Sequence, residues 1–332
     1  MQIRAITTFL RTADKEKILQ HRDILLSIKF PTLSKRISLP PVGSSSLDKL
    51  SDVIPSGDEI LYSLGGLRWN DPRIRNIRDI LKSGKNFFMH VLLDDERGIE
   101  EVIKLLDMLE PEESTRFAVL IDHEYLTTPY FPTSSSTLPI ESIGLSLLYV
   151  KDFQKGKGLN ALLEAKKIGV SIQESIGIKF AGIDPSLSPW MDESIGEFLE
   201  SLSNSRLFTM GVLHKIREIN QKIEEYSFSA GLEPLGFSEV MLPVAEDNVL
   251  RERALEGRLT LTHLAYMSTA CAAGIDMVGV IYDRETYTNI FRDAMSIQKI
   301  KRRPYAIRII PSRGEEKIYT PLFGFIPVVK VV

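Results

Sequence analysis

Short runs of β-branched and aliphatic residues alternate with longer amphipathic segments along most of the chain. This alternation constrains the fold most, because a helix between two strands returns the chain to the same end of a sheet and so favours parallel pairing. About ten strands fit either a barrel or a wide open sheet. We predict strands at residues 3–10, 36–40, 59–64, 87–93, 116–121, 143–150, 178–183, 237–243, 275–281 and 305–310, with the terminal PVVKVV as a candidate edge strand.

Composition bounds the class of protein. The 332 residues are 43% hydrophobic and 26% charged, which is typical of a globular protein with a substantial core. No shift in composition marks a boundary, so we expect residues 1–332 to form one large α/β domain. The net charge of −3, without a basic stripe, argues against a nucleic-acid partner.

The termini and the single cysteine indicate the compartment. The N-terminus lacks the apolar core of a signal peptide, and the apolar C-terminus FGFIPVVKVV is too short to span a bilayer. One cysteine excludes an internal disulfide. We therefore expect a cytoplasmic protein with no membrane partner.

Carboxylates follow several predicted strands. Asp184 follows IKFAGI, Glu246 and Asp247 follow FSEVMLP, and Asp283 follows IDMVGVI. Parallel α/β folds bind ligands at the carboxyl ends of their strands, so we expect these acids to converge. A divalent cation such as Mg²⁺ would relieve their repulsion. The alternative is that each acid caps the helix that follows it, which is the commoner role of any single acid.

His123 and Cys271 are the other candidate catalytic residues. His123 follows RFAVLI between Asp122 and Glu124, which suits a general base but equally suits an exposed loop histidine. Cys271 precedes the strand IDMVGVI, at the wrong end for a catalytic thiol in a simple βα unit. We expect a buried, inert cysteine unless the fold threads this segment through its centre.

Three residues are candidates for binding the substrate. Arg313 follows the strand YAIRII, where a guanidinium is placed to bind an anion. Ser186 and Ser188 follow the strand that ends near Asp184. The sequence contains neither GxGxxG nor GxxxxGK[ST], so neither phosphate-binding loop is predicted.

The segment TTPYFPTSSSTLP, at 127–139, is the longest run of prolines and hydroxyl residues. Loops of this length in compact domains are often functional lids. The other interpretation is a mobile surface excursion, so both remain open.

Four segments resemble the uncharacterised family called domain of unknown function 711. They are GIDPSLSPWMDESIGEFLE, SEVMLPVAEDNVL, STACAAGIDMVGVIYD and AIRIIPSRGEE. The resemblance covers most of the chain and is clearest over 178–332. It implies a fold like that of glycyl-radical enzymes, an α/β barrel of about ten strands built from two parallel halves, in a cytoplasmic homodimer.

The resemblance also bears on Cys271 and on radical chemistry. Radical enzymes of that fold place a cysteine loop inside the barrel, which makes Cys271 a catalytic candidate. Radical catalysis itself is not expected, because Gly324 lacks the usual glycyl-radical context and one cysteine offers no dithiol. The family often has Pro-x-Asp-Thr after the cysteine strand, and here only Asp283 is kept.

These patterns favour an enzyme, a metal-assisted hydrolase or lyase, acting on a small anionic or polar metabolite. A non-catalytic binding or regulatory protein and a fully packed scaffold remain as alternatives. The catalytic candidates are Asp283, Asp247, Glu246, Cys271 and His123; the substrate-binding candidates are Arg313, Ser186 and Ser188; and the metal candidates are Asp184, Glu246, Asp247 and Asp283.

Overall fold

The computed structural model of the protein describes residues 1–43, 47–55, 59–233 and 235–332, apart from the side chains at positions 48 and 51. Within these ranges one mixed sheet contains twelve strands. They are β1 (Gln2–Phe9), β2 (Thr32–Ser38), β3 (Ile60–Arg68), β4 (Phe87–Leu93), β5 (Phe117–Ile121), β6 (Ser142–Leu148), β7 (Lys179–Asp184), β8 (Met241–Pro243), β9 (Ala273–Ile281), β10 (Tyr305–Ser312), β11 (Lys317–Thr320) and β12 (Gly324–Val329).

Helices connect most of the strands, and none in the described ranges is both long and apolar enough to cross a membrane. They are α1 (Lys15–Ser27), α2 (Leu47–Val53), α3 (Ile77–Ser83), α4 (Ile99–Met108), α5 (Pro111–Ser114), α6 (Val150–Gln154), α7 (Gly158–Ile176), α8 (Ile195–Ser203), α9 (Val212–Ser229), α10 (Asn248–Leu255), α11 (Leu261–Ser268) and α12 (Arg284–Lys301). Short 3₁₀ turns occur at Pro72–Asn76, Glu96–Gly98 and Val244–Glu246.

Apart from its edge pair β11 and β12, which is antiparallel, the sheet consists of two internally parallel halves. Its order is β11-β12-β9-β10-β5-β4-β3-β2-β1-β6-β7, with β8 paired to β9. In the first half, strands β1 to β5 are parallel to one another. In the second half, β6 is parallel to β7. Strand β9 is parallel to each of its partners β8, β10 and β12. The halves meet antiparallel, at β1–β6 and at β5–β10. The expected parallel pairing is therefore confirmed within each half and wrong between them.

This arrangement corrects the expectation that all strand ends face one edge. Because the halves run in opposite directions, the carboxyl ends of β1 to β5 lie at the same edge as the amino ends of the second-half strands. Asp122 and His123, which follow β5, are consequently at the edge opposite to Asp184 and Glu246.

The strand count and the architecture also differ from the prediction. Each of the ten predicted strands overlaps an observed one, but β11 was missed, and β12 lies between β11 and β9 instead of at an edge. Strand pairing in the described ranges leaves β7 and β11 as end strands, so the sheet is not closed and the predicted barrel is not confirmed. An isolated parallel bridge joins Leu187, just after β7, to Val240, just before β8.

The two faces of the sheet have different roles. In β10, Ile307 and Ile309 belong to the large apolar core that also contains the buried faces of the helices. Ala306 and Arg308, which alternate with them, face an interior cavity. One face of the strand is thus packed against helices, while the other carries the polar residues of the interior.

The loop at 127–136 is buried inside the protein and is not a surface excursion. Ser134 donates a hydrogen bond to the Ser38 hydroxyl over 2.7 Å, and its carbonyl accepts one from the Ser63 hydroxyl over 2.6 Å. The backbone N–H of Ser136 donates to the Leu39 carbonyl over 2.9 Å. These contacts hold the loop against β2 and β3, where it forms part of the cavity wall.

A glycine within β3 permits the approach of β3 to the end of β2. Gly65 has φ of +83°, and a Cβ added there would collide with the Pro40 carbonyl oxygen. We expect Gly65→Ala to lower the free energy of unfolding by about 2 kcal/mol or more, because it adds a steric clash to left-handed backbone strain. Urea denaturation measures the change. Gly43→Ala is the matched control, since a Cβ there meets nothing within 4 Å, and an equal loss in both variants would contradict the assignment.

Candidate functional site

A cavity of about 340 Å³ lies between the two halves of the sheet. Its wall is formed by side chains from both halves and by residues 130–133 of the buried loop. Most of the wall is apolar, with an aromatic part comprising Phe88, Tyr130, Phe131, Trp190, Phe237 and Phe323. A few charged groups are concentrated among these apolar residues, as is typical of sites for small ligands.

Four of the charged groups form one buried ionic network. Glu246 accepts hydrogen bonds from Arg4 of β1 over 2.5 Å and from Arg308 of β10 over 2.9 Å. Arg308 also binds both carboxylate oxygens of Asp276 in β9, over 2.7 and 3.1 Å. All four residues are at least 91% buried. The network is neutral, with two guanidiniums opposite two carboxylates.

The two carboxylates of the network have different acidities. Burial alone would raise the pKa of Glu246, but the guanidiniums of Arg4 and Arg308 outweigh burial and hold this pKa below its usual value. Burial raises the pKa of Asp276 above its usual value, and Glu246 adds to this shift while Arg308 opposes it. The environment thus favours the protonated form of Asp276 and the ionised form of Glu246, each relative to its usual behaviour.

Arg4 is fixed on all sides. One of its nitrogens donates to the Ser188 hydroxyl over 2.9 Å and to the Pro189 carbonyl over 2.6 Å. Its guanidinium carbon lies 5.3 Å from the centre of the Trp190 ring and 5.8 Å from that of Tyr130, within cation–π range. Arg4 thereby contacts both the segment after β7, at residues 188–190, and the buried loop, at Tyr130.

Arg36 of β2 is the cation of the cavity wall that forms no ion pair with a carboxylate among the described residues. It donates to the Ser34 hydroxyl and the Pro129 carbonyl, both over 2.8 Å, and lies 5.2 Å from the centre of the Phe131 ring. Burial, reinforced by the positive charge of Arg4, lowers the pKa of Arg36 to about 9. The guanidinium is still protonated at neutral pH and presents an uncompensated charge to the cavity.

Two of the predicted site residues line this cavity. They are Glu246 and Ser188. Ser186, predicted with them, lies beneath the wall, where its hydroxyl donates to Asp184 over 2.6 Å and accepts from the Glu239 backbone over 3.2 Å. It supports the segment after β7 and does not face the cavity.

Asp184 is an internal anchor. Its carboxylate accepts five hydrogen bonds: two from Ser186, and one each from the Thr128 hydroxyl and the backbone N–H groups of Phe237 and Ser238. Burial raises the pKa of Asp184 and these bonds oppose the shift. The carboxylate thereby ties β7 to the buried loop and to the segment before β8.

Asp247 and Asp283 cap helices, as the alternative interpretation held. Asp247 accepts hydrogen bonds from the backbone at Val249 and Leu250 at the start of α10, and from the Ser194 hydroxyl. Asp283, which is exposed, accepts one from the Thr286 backbone over 2.7 Å at the start of α12. Each acid thus stabilises its own helix.

The predicted magnesium site is not assembled. Asp184, Glu246, Asp247 and Asp283 each have a separate set of partners. Across the described ranges, no three or more His, Cys, Asp or Glu side chains form a group that could hold a metal ion. The convergence expected from the sequence fails because Asp283 points outward and the other three are occupied by hydrogen-bond donors.

Three further predicted residues lie away from the cavity. Arg313 is exposed, pairs with Asp107 over 2.6 Å and stacks on Tyr282 at 4.9 Å. His123 is exposed at the opposite edge of the sheet. Cys271 is completely buried in the apolar core, where burial raises the pKa of its thiol, so it is not an accessible nucleophile.

The sequence did carry a signal for the residues that were missed. Arg4 and Arg308 interrupt the apolar strands IRAITTFL and YAIRII, and Asp276 interrupts IDMVGVI, whereas Arg36 begins the predicted strand RISLP directly after Lys35. A lone charge within a buried strand is costly unless it is paired or functional. The predicted site residues all lie at or beyond strand ends, so these charges were not predicted.

The chain is similar to proteins whose names state no activity. A family model described as "Uncharacterised ACR (DUF711)" matches residues 157–317. A UPF0210 protein of Oleidesulfovibrio alaskensis is 32% identical over 47% of this chain and 35% of its own length. One of Methanocaldococcus jannaschii is 32% identical over 49% of the chain and 38% of its length. The matched segment spans only about a third of these two relatives.

A longer but weaker match extends the similarity. A UPF0210 protein of Lachnospira eligens is 23% identical over 96% of this chain and 84% of its own length. Strands β8, β9 and β10, with Glu246, Asp276 and Arg308, lie inside the region that the family model matches. Arg4 and Arg36 lie outside it.

The anchoring role of Asp184 is testable by an isosteric change. Both of its oxygens accept hydrogen bonds from backbone N–H groups, so either orientation of an asparagine places its NH₂ against a donor. We expect Asp184→Asn to lower the free energy of unfolding by about 3 kcal/mol. Asp283→Asn is the control, because asparagine caps a helix as well as aspartate does. Urea denaturation measures the free energy of unfolding of both variants. If Asp184→Asn is as stable as the wild type, the anchoring role of Asp184 is refuted.

Proposed function

We propose that the cavity binds a small metabolite bearing a carboxylate. The observation that carries this proposal is Arg36, a guanidinium on the cavity wall that forms no ion pair with a carboxylate of the described residues. A planar guanidinium with unused N–H groups binds a carboxylate through two parallel hydrogen bonds. The cavity volume of about 340 Å³ suits a ligand of metabolite size.

The rest of the wall supports an apolar body on that ligand. Phe88, Phe131 and Phe237 line the same space as Arg36 and offer no group that bonds a sugar or phosphate. A highly polar or multiply charged metabolite would lose hydration there without recovering it. The preferred ligand is therefore a compact carboxylic acid with a hydrocarbon or aromatic part.

A catalytic role for the same site is the second candidate. It is supported by Asp276, a cavity-lining carboxylate whose pKa is raised, so that it is placed to accept a proton from a bound ligand. In the non-catalytic alternative, Asp276 only neutralises Arg308 and the bound ligand leaves unchanged.

Further proposals concern the family and the assembly. We infer that the chain belongs to the family described as DUF711, supported by the match over 157–317 and the longer match to the Lachnospira eligens protein. A barrel-like closure is supported by the bridge between Leu187 and Val240, which lies between the segments of β7 and β8. The resemblance to this family also supports a homodimer in the cytoplasm.

The variant Asp276→Asn distinguishes a catalytic site from a site that only binds its ligand. If the site is catalytic, the wild-type protein converts its tightest-binding carboxylate to a product, and Asp276→Asn binds that compound but converts it at least about 100-fold more slowly. Mass spectrometry of the incubated compound detects the conversion. Recovery of the compound unchanged from the wild-type protein would leave the binding function and reject catalysis of that compound.

Arg36 is tested by binding and stability together. In isothermal titration against carboxylic acids and their neutral amides, we expect the wild-type protein to bind acids and not amides. Arg36→Met should weaken the tightest acid about tenfold or more. The same variant should unfold with an equal or higher free energy than the wild type, because it removes a partly buried charge that has no ion-pair partner.

Arg313→Met is the matched control, since Arg313 is exposed and paired with Asp107 outside the cavity. It should bind the same acid as tightly as the wild type does. Equal binding of acids and amides, or unchanged binding by Arg36→Met, would refute the proposed anion site.

A further inference from the structure

The cavity wall contains a carboxylate outside the ionic network. Glu59 lines the cavity directly before β3 and is exposed, and Leu33 and Leu61 line the same cavity. No ion pair joins it to Arg36 in the described part of the chain. We infer that Arg36 and Glu59 together bind a zwitterion, an α-amino acid with an apolar side chain, which deepens the proposed function and rests on it.

Strand register places the two charges side by side. Strands β2 and β3 are parallel, and Arg36 is the direct partner of Leu61. Arg36 and Leu61 both line the cavity, and Glu59, two positions before Leu61, projects from the same face of its strand. Arg36 and Glu59 are thus diagonal neighbours across adjacent strands, close enough for long side chains to reach one small ligand.

The charged residues that line the cavity favour a zwitterionic ligand over a simple anion. Arg4 and Arg308 are neutralised by Glu246 and Asp276. Of the cavity-lining charges in the described ranges, this leaves one cation and one anion, Arg36 and Glu59. A ligand with a carboxylate and an adjacent ammonium group complements both, whereas a plain carboxylate would leave Glu59 close to its own negative charge.

The depth of the two groups orients the ligand. Arg36 is partly buried, with its guanidinium against the Phe131 ring, whereas Glu59 is exposed at the cavity mouth. A carboxylate on Arg36 and an ammonium on Glu59 therefore leave the side chain of the amino acid directed along the aromatic wall. That wall favours leucine, methionine or phenylalanine over charged amino acids.

The test compares ligands that differ by one group. Leucine and phenylalanine are titrated calorimetrically at pH 7 beside 4-methylpentanoate and 3-phenylpropanoate, which lack the amine, and beside 3-methylbutylamine and 2-phenylethylamine, which lack the carboxylate. We expect at least one amino acid to bind about tenfold more tightly than both of its analogues. In Glu59→Gln, the amino acid should bind no more tightly than its analogue without the amine. The affinity for that analogue should be equal to or higher than in the wild type.

Glu124→Gln is the control, because Glu124 is an exposed carboxylate at the opposite edge of the sheet. It should bind all six compounds as the wild type does. If the deaminated acids bind as tightly as the amino acids and Glu59→Gln changes neither, the zwitterion inference is overturned while the carboxylate site stands. If no carboxylate binds and Arg36→Met behaves as the wild type, the proposed function and the inference both fail.

Discussion

The carboxylate of Glu246 joins the two antiparallel halves of the sheet at their centre. It binds Arg4 of the first half over 2.5 Å and Arg308 of the second over 2.9 Å, and Arg308 in turn holds Asp276. Charges buried this deeply are tolerated only when every partner is present, since removal of one partner typically costs about 3–5 kcal/mol. The position of the cavity, and the identity of the charges left free to face it, depend on this network being complete.

Loops that enter the interior complete the site. Arg4 holds the segment after β7 through Ser188, and Asp184 binds that segment, the loop at 127–136 and the backbone before β8. Side chains from three distant parts of the chain are thereby fixed in one wall by hydrogen bonds. Such a wall is preorganised, because its polar atoms are already bonded to each other before a ligand arrives.

The sequence predicts local structure well and relative position poorly. Residues 87–93 were predicted as a strand with the bounds that β4 has, because an apolar run between turn residues is a local signal. The antiparallel meeting of β1 with β6 is set by packing over long sequence separations and leaves no such signal. Likewise, Glu246 and Asp283 both follow strands, yet Glu246 is buried between two arginines and Asp283 is exposed and caps a helix. Which side of the sheet an acid faces is a tertiary property.

The uncompensated cation argues against a fully packed scaffold. A core whose only purpose is stability would replace Arg36 by an apolar residue of similar length, since a buried guanidinium without a carboxylate costs free energy. The chain instead keeps Arg36 beside a cavity of about 340 Å³ and satisfies it only with a hydroxyl, a carbonyl and the Phe131 ring. A bound carboxylate would restore the missing partner and stabilise the fold in proportion to the logarithm of its concentration. An ion pair between Arg36 and such a ligand would therefore contribute to the affinity that we propose for the site.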